Sequence, residues 1–133
     1  MPKTIRQSAT FNATPREVYD ALMTSRGHSK ITGADAKISG KVGGRFTAFD
    51  GYATGFNLEL APGKKIVQSW RASDWPTNLS STVTFALKPA KGGTRLGFTH
   101  AGVPDDQHAS IKQGWIEYYW KPMKALWSGR RAK

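Results

Sequence analysis

The sequence contains no cysteine, which excludes a disulfide framework, a thiolate zinc site and a cysteine nucleophile. Acidic residues are scarce: nine face twenty lysines and arginines, a formal charge of +11. That imbalance favours contact with anionic partners through the summed field. The surplus is nevertheless spread along the chain, and only the tail concentrates it, with Lys121, Lys124, Arg130, Arg131 and Lys133 and no acid among them. No apolar run approaches the roughly 20 residues that span a bilayer. The start, MPKTIRQSATF, alternates where a signal peptide would be a solid apolar block. These absences predict a cytoplasmic protein without membrane insertion. Histidines number three, His28, His100 and His108, with no HxH or HxxxH spacing, and there is no HExxH, P-loop or nucleophile elbow. No metal, no cofactor and no catalytic residue is expected.

What is present is aromatic. Trp70 and Trp75 bracket WRASDWP, and Trp115, Tyr118, Tyr119, Trp120 and Trp127 fall in one C-terminal stretch. Five tryptophans in 133 residues, gathered in two places, predict a heavy core or an aromatic-lined cavity between a sheet and a helix.

The order of elements follows from periodicity. Ile5, Gln7, Ala9 and Phe11 alternate with polar residues, a strand pattern. Thr14 as N-cap, Pro15 at the first helical position and Glu17 three residues after the cap open a short helix. Its buried stripe is Val18, Tyr19 and Leu22, and it ends near Thr24. A polar, irregular segment with Gly27, His28 and Gly33 is expected next. From about Asp35 to Ala101 the chain reads as six strands: around Ala36–Ile38, Arg45–Phe49, Tyr52–Leu60, Lys65–Ala72, Thr82–Leu87 and Thr94–His100. Asp50-Gly51 is read as a two-residue hairpin turn needing positive φ at both positions. Phe56, Leu58 and Leu60 are placed on one face, Asp74–Asn78 in a loop, and Val83, Phe85 and Leu87 on one side of their strand. From Asp105 to about Trp127, Ile111, Trp115, Tyr118, Tyr119, Met123, Leu126 and Trp127 recur at steps of three and four, a long amphipathic helix. Asp105 and Asp106 suit its N-terminus, while Gly114 and Pro122 interrupt it, and the missing proline N–H predicts a kink. A meander with an apolar concave face needs a cover, and only this helix is large enough. The fold class is α+β, a curved antiparallel sheet of about seven strands around a long C-terminal helix. One domain is expected over 1–133, ordered over about 4–127, with a basic tail at 128–133.

The series GGRF (43–46), DGY (50–52), Gly55, PGKKI (62–66), WRASDWP (70–76), GGTRL (92–96), GVPDDQ (102–107), GWIEYYW (114–120) and Pro122 runs in order from about Thr4 to Leu126. Together these motifs resemble the single-domain homologues of the activator of the 90-kilodalton heat-shock protein ATPase, within the START-like (SRPBCC) helix-grip superfamily. The resemblance implies a helix-grip fold whose sheet and long helix enclose a ligand cavity, and a link to heat-shock chaperones. Beside the eukaryotic activator, the chain is expected to lack the domain that binds the chaperone's middle segment. The superfamily hosts binding, transport and catalysis on one scaffold, so the fold does not settle the function.

Trp70, Trp75, Phe98, His100, Trp115, Tyr118 and Tyr119 are the cavity candidates. Against this stands the reading that these rings simply fill the space between sheet and helix. Arg71, next to Trp70 on a pleated strand, is expected to face solvent or an edge. Asp50 has sufficient work as a turn residue. His100 is expected inside, hydrogen-bonded; paired with Asp50 or Glu59 it would make an acid–base pair in a cyclase-like pocket. Aromatics interleaved with basic residues, as in YYWKPMKALW, resemble stacking platforms, but the fold places them under the helix, so no specific nucleic-acid partner is expected. The expected function is non-catalytic: binding a small hydrophobic ligand as a monomer or homodimer. The alternative is a co-chaperone binding and stimulating the heat-shock ATPase, and the third reading is a cyclase- or hydrolase-like enzyme.

Overall fold

The computed structural model describes residues 3–75 and 79–128. Seven strands form one antiparallel sheet: β1 (Lys3–Phe11), β2 (Lys37–Ile38), β3 (Arg45–Ala48), β4 (Ala53–Ala61), β5 (Lys65–Ala72), β6 (Ser81–Ala90) and β7 (Gly93–Val103). Their spatial order is β1-β7-β6-β5-β4-β3-β2, a meander closed at one end by the first strand. The C-terminal helical run lies against the concave face, so the expected curved sheet around a long helix is what the chain forms. Inner-face residues Ile5, Phe11, Ile66, Val83, Phe85, Leu96 and Phe98 meet Trp115, Tyr119, Trp120, Met123 and Trp127 in one core.

The first helix, α1 (Pro15–Met23), begins as expected. Thr14 Oγ1 accepts from the Glu17 amide at 3.1 Å, and Glu17 Oε1 accepts from the Thr14 amide at 2.9 Å. Both bonds satisfy donors that the first helical turn leaves unpaired. Thr14→Ala is expected to lower the unfolding free energy by about 1 kcal/mol, read as a shift of the urea midpoint with unchanged slope; an unshifted midpoint would show that the box carries no stability.

Two expectations are corrected and a third is extended. The segment after α1 is not irregular but a second helix, α2 (Ser25–Thr32). Thr24 caps it through the Gly27 amide at 3.1 Å, and Gly33 ends it with a left-handed φ of 74°. Its buried residues, His28 and Ile31, are only two, too sparse a stripe to read as periodicity. The Asp50-Gly51 turn has positive φ at both positions as expected (56° and 95°) and is closed by the Tyr52 amide on the Phe49 carbonyl at 3.1 Å, but the strand ladder ends at Ala48 and Ala53, and Phe49 (φ 54°) extends the left-handed stretch by a residue. Finally, Phe56, Leu58 and Leu60 do not share a face. A bulge between Asn57 and Glu59 turns Leu58 and Glu59 outward in succession and returns Leu60, opposite buried Ile66, to the core side. Phe56 and Leu58 are 47% and 51% exposed, and Arg45 lies over the Phe56 ring at 5.5 Å.

Gly55 is glycine for a steric reason. A Cβ there would stand 1.8 Å from the Ser69 carbonyl oxygen and 2.7 Å from the Phe46 ring. Its absence lets β4 and β5 close up beside Trp70, which packs inward from the same part of β5.

The C-terminal run starts with one 3₁₀ turn (Asp105–Gln107) and continues as α3 (His108–Trp115), a π-helical segment (Ile116–Trp120) and α4 (Lys121–Trp127). The Lys121 amide donates to the Ile116 carbonyl, five residues back. The expected disturbance by Pro122 thus takes the form of a widened turn just before the proline, where the ladder loses a donor. Of the expected basic tail, only Ser128 lies within the described residues, and the loop expected at Asp74–Asn78 is described only through Trp75. Among the described residues, no helix is long and apolar enough to cross a membrane.

Candidate functional site

The sheet and the C-terminal helix do not close on each other completely. Between them opens a cleft of about 480 Å³, lined by Thr32, Ala34, Phe49, Tyr52, Trp70, Ser110, Ile111, Gly114, Trp115, Tyr118 and Tyr119. Each wall has a local cause. The pleat of β5 turns Trp70 inward, the β3–β4 hairpin brings Phe49 and Tyr52, and the end of α2 supplies Thr32 and Ala34. Helical spacing on α3 puts Ile111, Gly114 and Trp115 on one side, and the π segment presents Tyr118 and Tyr119.

Of the seven residues singled out from the sequence, Trp70, Trp115, Tyr118 and Tyr119 line this cleft. Tyr118 is not buried as the helical stripe implied: it is 55% exposed and stands at the mouth. Trp75, Phe98 and His100 are buried behind the walls. Trp75 packs edge-on against Trp70 at 5.4 Å, Phe98 lies 4.5 Å from Trp115, and His100 is 4.9 Å from Trp70, between ring centroids. Phe49, Tyr52, Thr32, Ala34, Ser110 and Gly114 are wall residues that the strand and helix patterns did not mark, because a hairpin loop and an unrecognised helix bring four of them there.

Two buried histidines brace the walls from behind. Trp115 Nε1 can only donate, so at 3.0 Å it fixes His100 Nδ1 as an acceptor and leaves the ring proton on Nε2. His100 Nε2–H then donates to Ser81 Oγ at 2.7 Å, and Ser81 Oγ–H donates to the Trp70 carbonyl at 2.7 Å. The chain Trp115→His100→Ser81→Trp70 ties the helix wall to the sheet wall. Burial pushes the His100 pKa down to about 3, so the ring is neutral at ordinary pH. On the other side His28 Nδ1–H donates to the Leu22 carbonyl at 3.1 Å, and its Nε2 accepts from the Tyr119 hydroxyl at 2.7 Å. Burial lowers His28 and raises Tyr119, so both are held neutral. The sequence left His28 without a role.

This geometry removes the acid–base pair considered for His100. Both its nitrogens are committed, Asp50 Oδ1 accepts from the Asp35 amide at 2.9 Å, and Glu59 pairs with Lys65 at 3.4 Å. Arg71, on the interior strand β5, turns away from the core to neither open solvent nor a sheet edge: its guanidinium donates to the Trp75 carbonyl at 2.6 Å and the Leu79 carbonyl at 3.3 Å. The buried Trp75 Nε1 has no hydrogen-bond partner among the described residues. No group of three or more histidines, aspartates and glutamates converges as a metal would require among the described residues.

An HSP90 activator from Plasmodium falciparum superposes with a TM-score of 0.89 at 24% identity, over 98% of this chain and 99% of that one. The Aha1 dimer from Colwellia psychrerythraea gives a TM-score of 0.82 at 22% identity, over 97% and 99%. At those identities the likeness is one of fold. In sequence, the human activator of 90 kDa heat shock protein ATPase homolog 1 is 32% identical over 115 residues, which is 86% of this chain and 34% of that protein. The chain thus spans about a third of the length of the curated relatives it matches. The profile of the family described as activator of Hsp90 ATPase homolog 1-like protein matches residues 12–128. On that match and the human relative together, the chain belongs to the activator of Hsp90 ATPase homolog 1-like family.

Proposed function

We propose that this protein is a non-catalytic, cytoplasmic member of its family that binds a small hydrophobic ligand between the sheet and the C-terminal helix. The observation that carries the reading is the cleft itself. Its volume of about 480 Å³ lies in the range of small-molecule sites, and six of its eleven lining residues are aromatic. A purely structural interface of this kind would be filled by those rings. Here they border an open cleft, and two neutral hydrogen-bonded relays fix them from behind.

Trp70 and Trp115 line the cleft, so their emission reports on it. Titration with a panel of fatty acids and planar aromatics is expected to give saturable quenching or a spectral shift. The plug for the control is Gly114. A Cβ there would meet only Tyr118 Cδ2, at 3.8 Å, so a larger side chain can grow into the cleft. Gly97 and Ala86, by contrast, belong to the outer face of the sheet and cannot plug it. Gly114→Leu is expected to abolish the response while leaving the helix as stable or up to about 1 kcal/mol more so. A flat response across the panel, or one unchanged in Gly114→Leu, would remove this reading.

The relatives' names favour a second reading, a co-chaperone acting on a 90-kilodalton heat-shock protein. It predicts a stoichiometric complex and a changed ATPase rate of that chaperone, weakening with added salt because of the basic surface.

A further inference from the structure

Two departures from regular backbone meet at the mouth of the cleft. Phe49 holds a left-handed φ of 54°, a region costly for a bulky residue and usually left to glycine or asparagine. Tyr118 sits at the centre of the π-helical segment 116–120, a widened turn of the kind frequent at functional sites. The two rings touch edge-to-face, 5.6 Å between centroids at 73°, and Phe49 makes a similar contact with Tyr119 at 5.8 Å. Backbone strain persists only where its surroundings enforce it, and it gathers at ligand clamps. The left-handed Phe49 is not needed to make the turn, for which Asp50 and Gly51 suffice, while the π turn is the widening before Pro122 and sets Tyr118 opposite that ring.

The chemistry of the lining narrows what such a clamp would hold. No lysine, arginine, aspartate, glutamate or histidine is among the eleven lining residues, in a protein of net charge +11. A charged group taken inside would lose its hydration without gaining a partner, a penalty of several kcal/mol. The polar atoms deeper in the walls are already committed: Tyr119 to His28, Thr32 Oγ1 to the His28 and Ala34 carbonyls, Ser110 Oγ to the Gln107 carbonyl, and Trp115 Nε1 to His100. Tyr52 and Tyr118, both exposed at the rim, have hydroxyls with no hydrogen-bond partner among the described residues. Burial, then the nearby Asp74, raises the Tyr52 pKa, which keeps that hydroxyl a donor.

We infer that Phe49 and Tyr118 act as a pair that sets the selectivity of this cleft, and that it admits a flat aromatic molecule without charge, its polar end meeting the Tyr52 and Tyr118 hydroxyls at the mouth. The inference rests on the ligand-binding reading above and adds the class of ligand and the residues that choose it.

Two dyes with one ring system make the test. N-phenyl-1-naphthylamine is neutral, and 8-anilino-1-naphthalenesulfonate has the same rings with a sulfonate. The protein's net charge alone would favour the sulfonate, so the two expectations have opposite signs. The neutral dye is expected to bind at least tenfold more tightly, with energy transfer from tryptophan. Phe49→Gly, which suits the left-handed φ, and Tyr118→Ala, at an exposed site, are each expected to weaken the neutral dye at least fivefold. The double variant is expected to be little worse than either single one, since each change already breaks the pair. Phe56→Ala, on the outer face, should change nothing.

A sulfonate that binds as tightly as the neutral dye overturns the charge selectivity. A retained preference with both variants at parental affinity overturns the role of the pair, and in either case the ligand-binding reading stands. Should Phe49→Gly fail to fold, Tyr118→Ala decides alone. If neither dye binds, the inference is wrong; the fatty-acid and aromatic panel with Gly114→Leu then says whether the broader reading falls with it.

Discussion

Trp115→Ala is expected to destabilise the protein by about 3–5 kcal/mol, the largest single effect in the core. The indole is at the centre of the ring cluster, with centroids 4.5 Å from Phe98 and Tyr119 and 6.0 Å from Trp70, Phe85 and Trp120. Truncation removes those contacts and leaves a void between sheet and helix. It also strips the donor from His100 Nδ1, so a buried acceptor loses its partner. Trp115→Phe separates the two contributions: it keeps most of the ring packing and loses the N–H, and about 1–3 kcal/mol is expected. Both are read from urea unfolding at pH 7. Since small domains have about 5–15 kcal/mol in total, the alanine variant will sit near the edge of folding, and the phenylalanine variant keeps the measurement possible. An alanine variant within about 1 kcal/mol of the parent, below any value in the usual range, would mean that the rings around Trp115 close up around a loosely packed site.

How much of this was legible beforehand depended on periodicity. The inner face of β6 (Val83, Phe85, Leu87) and the Thr14-Pro15-Glu17 helix start are local patterns with one physical interpretation, and the structure has them as read. The α2 helix escaped because SRGHSKIT buries just His28 and Ile31 and holds a glycine, so its helicity comes from its two caps and from packing. Leu60 was misplaced because a bulge changes the parity of a strand without any mark on the residues themselves. The Asp50-Gly51 turn was recognised by its residue types, yet Phe49 was the less expected member of the left-handed stretch. Propensity argues against a phenylalanine there, and tertiary contact with Tyr118 and Tyr119 outweighs it.

The site was half legible for the same reason. Tryptophans and tyrosines at helical and strand spacing identify the two large walls. Whether their rings fill or line a space depends on fractions of an ångström in sheet curvature, which no spacing reports. His28 and His100 show the difference well. One histidine alternates with core residues and reads as interior, while the other sits in a polar stretch and is given no role. Both are buried, and in each case the partner that explains it is distant in sequence: Trp115 for His100 and Tyr119 for His28.

Acidification is expected to destabilise the protein well before its carboxylates titrate. His100 is completely buried, and the groups around it are Trp70, Phe98, Trp115 and Ser81, with no carboxylate to stabilise a charged ring. Its pKa falls from 6.5 to about 3 on folding, through burial. The unfolded chain therefore binds a proton that the folded chain refuses, so the stability is fully present above pH 6.5 and is lost as the pH falls from there towards about 3. Linkage puts the loss at about 2 kcal/mol between pH 7 and 5 and about 3 kcal/mol by pH 4. His28, lowered for the same reason, adds to the loss with the same sign. Asp105 and Glu117 are lowered too, but both are fully exposed and their window lies below pH 4.5, so the range from 7 to 5 isolates the histidines. Urea midpoints across that range should fall steadily for the parent and distinctly less for His100→Asn. The asparagine variant starts from a lower stability at pH 7, because it lacks part of the relay, and the two profiles should converge as the pH falls. Parallel profiles for parent and variant would show that His100 picks up its proton without unfolding, and that the relay from Trp115 to Trp70 opens to water far more readily than its burial implies.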